Sequence, residues 1–194
     1  VERVARAGCV AVVGLVVGAL TSFGQTYLDG PSNAFVNSAS AWLIAPFFVG
    51  ASMPTRRGAA AAGIGVCSFQ LVGYYLTAHV RGFPASQALV AFWAVCAVVG
   101  GPIAGVGGRL WRAERPPLRG LGAAVLASAF LAEGLWVYFH ELHYEGTAAL
   151  WIAIGIGVAA ALGRGPRDWA WLAATVPVAV LAEVALSRVY AQSF

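Results

Sequence analysis

The sequence predicts an all-α, polytopic membrane bundle: seven transmembrane helices forming one integral-membrane domain over residues 1–194. Three observations predict it. Of 194 residues, 60% are hydrophobic and only 10% charged, against roughly 25% charged in soluble domains. The apolar residues fall in runs of membrane-spanning length. The twelve basic residues are all arginines, and ten of them stand in short clusters between those runs. That pattern sets topology; it is not a nucleic-acid surface, and no nucleic-acid partner is expected. Cys9, Cys67 and Cys96 lie inside apolar runs, odd in number and far apart. They read as small packing residues, with no disulfide framework or metal site signalled.

The first span covers about 8–23, and its Gly14–Gly18 spacing permits close approach to a neighbouring helix. The segment before it resembles a signal peptide only in charge, so a retained first helix is expected. A polar link, 24–33, leads to the second span at about 35–53. There Pro46 predicts a kink, and Asn37, Ser38 and Ser40 dilute the outer half. The third span, about 58–79, follows a short basic turn at 54–57. The fourth is about 86–108, with Pro102 between glycines. Residues 109–119 form the longest basic link. The fifth, sixth and seventh spans cover about 120–140, 147–163 and 169–190, with Pro177 inside the last.

With seven spans, Arg3 and Arg6, Arg56 and Arg57, the arginines of 109–119, and Arg164 and Arg167 all fall on one side. The positive-inside rule then places the N-terminus in the cytoplasm and the C-terminus outside, and the cytoplasmic membrane of a bacterium is the expected location. The opposite links carry Asp29, Arg81, Glu141 and Glu145.

Two carboxylates stand within apolar spans: Glu133 among Phe130, Leu131, Leu135 and Trp136, and Glu183 in the stretch 180–186. An acid in hydrocarbon must be neutral, paired or in contact with enclosed water, because a bare carboxylate there costs several kcal/mol or more. The two share the local string Leu-Ala-Glu, and both lie ~20 Å from the cytoplasmic ends of their helices, hence at one depth. Helical spacing places Phe130, Glu133, Trp136, Val137 and His140 on one face. Glu183, Ser187 and Tyr190 share another, Gln70, Tyr74 and Thr77 a third, and Asn33, Asn37 and Ser40 a fourth. Tyr27 and Asp29 sit at the outer end of the first span, and Trp93 adds to an aromatic wall. These positions gather in the outer half, the pattern of a cavity near the outer leaflet.

Plainer readings stand beside that one. Interfacial aromatics form ordinary belts, and Gln70 and the Asn and Ser groups serve equally well as hydrogen-bonding glue between helices. A structural role for Glu133 and Glu183, each protonated and bonded to a neighbouring carbonyl, is the less favoured reading, since acids inside a membrane are functional by default. His140, His143, Glu141 and Glu145 suggest a metal at first sight, but their spacing is not the H-E-x-x-H pattern, and no metal or other cofactor is expected. No G-x-S-x-G nucleophile, aspartate-rich diphosphate motif or Gly-rich phosphate loop is present.

A carboxyl group in an apolar pocket keeps its proton and can act as a general acid, and aromatic faces stabilise cations. Together these meet the needs of carbocation cyclisation of a lipid-soluble polyene. In size, span number, separated membrane acids (Asp29, Glu133, Glu183) and the lack of a diphosphate motif, the chain resembles the small seven-helix integral-membrane terpene cyclases. Those act on prenylated aromatic precursors in meroterpenoid and indole-sesquiterpenoid pathways. The resemblance implies acid-initiated cyclisation without metal or diphosphate ionisation, with Asp29, Glu133 and Glu183 as catalytic acids. Phe130, Trp136, His140, Tyr27, Asn37, Gln70, Tyr74, Trp93 and Tyr190 would then line the substrate, a lipophilic prenylated aromatic reached from the membrane lipid. A second class fits the same residues: a solute-binding subunit of a vitamin-uptake system, or a proton-coupled carrier.

Overall fold

A computed structural model describes residues 2–112, 116–163 and 165–193 of the chain. Arg115 and Arg164, on which the orientation argument partly rests, lie outside these residues, as do the side chains of Arg3 and Arg167. Every regular element among the described residues is a helix, in the order α1 (Glu2–Tyr27), α2 (Gly30–Val36), α3 (Ala39–Trp42), α4 (Ile44–Ala51), α5 (Arg56–Val80), α6 (Gln87–Arg112), α7 (Pro116–Glu133), a π-helical segment (Gly134–Glu141), α8 (Glu145–Leu162) and α9 (Pro166–Ser193). Six helices are long and apolar enough to cross a membrane, and seven if the bent pair 30–36 and 39–51 counts as one span. The protein is therefore an all-helical, membrane-integral chain.

The second predicted span is the one that differs. Its main bend, 51°, falls across a break at 37–38. A second interruption, at Leu43 between α3 and α4, lies one turn before Pro46: proline has no N–H for the Trp42 carbonyl, which accepts from Gln70 Nε2 at 3.2 Å instead. The break falls where Asn37 and Ser38 offer side-chain hydrogen bonds that compete with the helical ladder.

The chain forms two compact units: Val1–Asn37 with Trp42–Arg109, and Ser38–Ala41 with Leu110–Phe194. In the first, α1 lies along α5. The approach is so close that a Cβ on Gly14 or Gly18 would strike the α5 backbone at Val66 and Gln70, and one on Gly73 would strike Leu15. The Gly14–Gly18 spacing thus has a defined partner. A second small-residue seam joins α4, α5 and α6, where Gly63 faces Gly101 and Gly50 faces Gly105. Thr55 caps α5, its Oγ1 accepting from the Gly58 amide at 3.0 Å.

In the second unit α7 packs on α8 and α9. Ala124, Ala127, Leu131 and Leu172 form its core, with Ile152, Val158 and Val176 against them. Gly155 lets α8 approach Leu131 and the Ala127 carbonyl, and Gly134 does the same beside Trp151. α9 packs on one side only: Val178, Leu181 and Val189 are exposed, as lipid-facing residues of an outer helix would be.

Candidate acid site

Glu133 is the last residue of α7, and the π-helical segment starts directly after it. Its side chain is buried, 4% exposed, and is met by the segment Ser38–Ala41 of the same unit. Four donors converge on its two oxygens. Ser38 Oγ donates to Oε2 at 2.6 Å, Ser40 Oγ to Oε2 at 2.5 Å, the Ser40 amide to Oε2 at 2.9 Å and the Ala39 amide to Oε1 at 3.2 Å. Ser38 is fixed in turn, its Oγ accepting from the Ala41 amide at 3.1 Å and from Trp151 Nε1 at 3.3 Å. Trp151 is fully buried and packs against Tyr138, ring centroids 4.8 Å apart. The Ser-Ala-Ser turn therefore offers two amides and two hydroxyls to one carboxylate. A buried acceptor left without donors costs about 1–3 kcal/mol, and these four bonds remove that cost here. Three of the four donors meet Oε2 and one meets Oε1.

Glu183 is placed differently. It lies on α9, partly buried, within electrostatic reach of Glu133 and Glu141. Tyr138 is in turn within reach of Glu133 and Glu183. Depth and helix packing thus bring the two sequence-predicted acids into one neighbourhood. Among the described residues the Glu183 carboxyl has no hydrogen-bond partner. Its backbone carbonyl accepts from Ser187 Oγ at 2.6 Å, and that oxygen accepts from Trp136 Nε1 at 3.0 Å. Trp136 Nε1 also lies 2.9 Å from Glu141 Oε1, and the Trp136 ring is 4.4 Å from the His140 ring.

The π-helical segment accounts for this arrangement. Its i→i+5 bonding, as in the Leu142 amide to the Val137 carbonyl at 2.9 Å, advances each residue less around the axis than α spacing does. The single face predicted for Phe130, Glu133, Trp136, Val137 and His140 is correspondingly split. Phe130 is fully buried and Glu133 turns to the serines, whereas Trp136 turns to Ser187 and His140 is exposed. Tyr190, also on α9, is exposed.

The other predicted site residues belong to the first unit. Tyr74 Oη donates to Gln25 Oε1 at 2.6 Å, Gln25 Nε2 to Asn37 Oδ1 at 2.5 Å, and Asn37 Nδ2 to Asn33 Oδ1 at 2.7 Å. Gln70 is fully buried. Its Nε2 donates to the Trp42 carbonyl at 3.2 Å, while Oε1 has no partner among the described residues. Trp93 packs with Trp42 and Tyr75 on the cluster of Cys67, Leu71 and Ala97. Asp29 precedes α2, exposed and making no side-chain cap bond, and Gly30 follows it with φ of 55°. Tyr27 is exposed at the end of α1.

Sequence reasoning overlooked Ser38 as a ligand of Glu133, and with it Trp151 and Tyr138. The signal available was the polar Asn37–Ser40 stretch inside an apolar run: a buried acid needs donors, and these are donors.

The chain matches, over residues 1–192, the model of a family described as a family of unknown function (DUF6518), and it belongs to that family. No curated protein and no solved structure matches it.

Proposed function

We propose that the protein is an integral-membrane cyclase that closes rings on a lipophilic, prenylated precursor by acid-initiated carbocation chemistry, with Glu183 as the proton donor. What carries this reading is the contrast between the two acids: Glu133 is filled by four donors, while the carboxyl of Glu183 is unengaged beside an anchored tryptophan. The Glu183 proton goes to an alkene carbon or an epoxide oxygen. Alkene electron pairs then form the ring bonds, and the cation is stabilised by the π face of Trp136. A proton lost from carbon makes the final alkene and passes to Glu141, whose exposed carboxylate returns it through water to Glu183. Atoms balance as an isomerisation, and neither a metal nor a diphosphate leaving group enters. Glu133 is a positioning residue that ties the Ser38–Ala41 turn to the end of α7. The reading takes α2–α4 as a seventh span, with the N-terminus in the bacterial cytoplasm and the C-terminus outside.

A second reading, a solute-binding or proton-coupled transport protein, is favoured by one observation. The Tyr74–Gln25–Asn37–Asn33 chain and the buried Gln70, whose Oε1 has no partner among the described residues, concentrate polar groups that a cyclase of hydrocarbon does not need.

The test is to incubate the purified protein with prenylated indoles and their epoxides, without added metal or nucleotide. The expected result is a cyclised product of unchanged mass, separated by chromatography and identified by mass spectrometry. Unchanged substrates, together with a water-soluble ligand that co-purifies with the protein, would overturn the cyclase reading in favour of the second.

A further inference from the structure

Arg81 carries a charge for which the described residues of its unit supply no carboxylate. It is the C-cap of α5, held by a turn in which the Gly82 amide bonds the His79 carbonyl at 3.0 Å and the Phe83 amide bonds the Ala78 carbonyl at 2.9 Å. Gly82, with φ of 79°, supplies the left-handed residue that this paired pattern requires. The turn fixes both Arg81 and Phe83. The guanidinium is partly buried: Nη1 donates to the Ser22 carbonyl at 2.6 Å and lies 3.4 Å from Ser22 Oγ, and Nη2 donates to Thr26 Oγ1 at 2.7 Å. The rings of Phe23, Phe83 and Tyr27 stand 4.5, 5.1 and 5.9 Å from Cζ. Every one of these partners is neutral. Asp29, two residues beyond Tyr27, forms no ion pair with it, whereas Arg6 of the same unit pairs with Glu2.

A guanidinium has five donors in a planar fork. Those described leave the Nε hydrogen and one hydrogen on Nη2 for the oxygens of a phosphate. The surroundings name the source of that phosphate. Phe23, Tyr27 and Phe83 are 44%, 74% and 48% exposed, and they lie at the ends of two membrane-spanning helices, α1 and α5. Arg56 and Arg57 begin α5, about 37 Å away along the helix, so Arg81 lies at the opposite membrane surface, in a link, 81–86, that carries no other charge. Lipid headgroup phosphates occupy that level, and a glycerol backbone and acyl chain would cover the exposed rings. A soluble phosphate gains nothing from those rings.

The geometry points to a binding site for the phosphate of one anionic phospholipid, formed by Arg81 with Phe23, Tyr27 and Phe83. The test uses delipidated full-length protein in nonionic detergent, with bound lipid counted by native mass spectrometry. Phosphatidylglycerol, phosphatidylcholine and inorganic phosphate are the three probes. One phosphatidylglycerol should be retained about tenfold more strongly than phosphatidylcholine, the scale of one charge-assisted pair, and millimolar inorganic phosphate should not displace it. Arg81→Gln should lose that preference, Arg81→Lys should keep part of it, and Arg56→Gln with Arg57→Gln should leave it intact. Because Arg81 also ties α5 to α1, Phe83→Ala provides a milder variant, expected to weaken retention several-fold. Equal retention of the two lipids by the natural protein, or an unchanged preference in Arg81→Gln, would overturn the site. Displacement by inorganic phosphate would overturn its assignment to lipid.

Discussion

The regions around Glu133 and Glu183 start from the same string, Leu-Ala-Glu, within one compact unit and end with opposite chemistry. At Glu133 a turn from far upstream, Ser38–Ala41, delivers two hydroxyls and two amides to the carboxylate. At Glu183 the helix packs on one side only, and nothing among the described residues approaches the carboxyl with a donor. An acid's depth in an apolar span therefore does not decide its role. On the proposed reading the donors that reach it do: a filled carboxylate serves as a structural joint, and an unengaged one exchanges a proton.

The contrast can be broken or sharpened by substitution. Removing the joint should have the largest effect on stability. Glu133→Ala leaves two buried hydroxyls and two amides without their acceptor and should lower unfolding stability in detergent by about 3–5 kcal/mol, read from thermal or denaturant unfolding. Glu133→Gln keeps one acceptor oxygen but turns an amide NH2 toward donors, at a cost of about 2–4 kcal/mol. Next come the serines. Ser38→Ala and Ser40→Ala should each cost about 1–3 kcal/mol, and in a double-mutant cycle with Glu133→Gln the losses should fall well short of additive, because the three groups share one network. If the losses add, the turn and the acid are independent and the joint is not real. The smallest effect belongs to the other region. Trp136→Phe keeps a ring but loses the N–H that reaches Ser187 and Glu141, and should cost only about 1 kcal/mol of stability. Its effect on turnover should exceed its effect on folding, which a paired kinetic and unfolding measurement will separate.

Much of this molecule was legible in its sequence. The apolar runs, the paired arginines between them and the Gly14–Gly18 spacing follow from what hydrocarbon tolerates and from how closely two helices can approach. The shared neighbourhood of Glu133 and Glu183 followed from counting residues along two helices. Two features were not legible. The π-helical segment 134–141 follows no periodicity readable in advance, since it satisfies the same backbone groups with a wider ring, so α spacing grouped Trp136 with Glu133 when the two face different partners. The break at 37–38 was visible only as a dilution of the second span by Asn37, Ser38 and Ser40. That the two serines serve an acid 93 to 95 positions later is a tertiary fact that no local pattern encodes.

The most direct measurement sets Glu183→Gln beside Glu133→Gln in turnover of a prenylated substrate, each rate divided by the folded fraction of the same preparation. Glu183→Gln should fold like the natural protein and lose about 100-fold or more in rate, the scale of a missing general acid. Glu133→Gln should lose stability while its folded fraction retains most of the rate. Turnover by Glu183→Gln at the natural rate, with Glu133→Gln inactive though folded, would contradict the account and return the chemistry to Glu133.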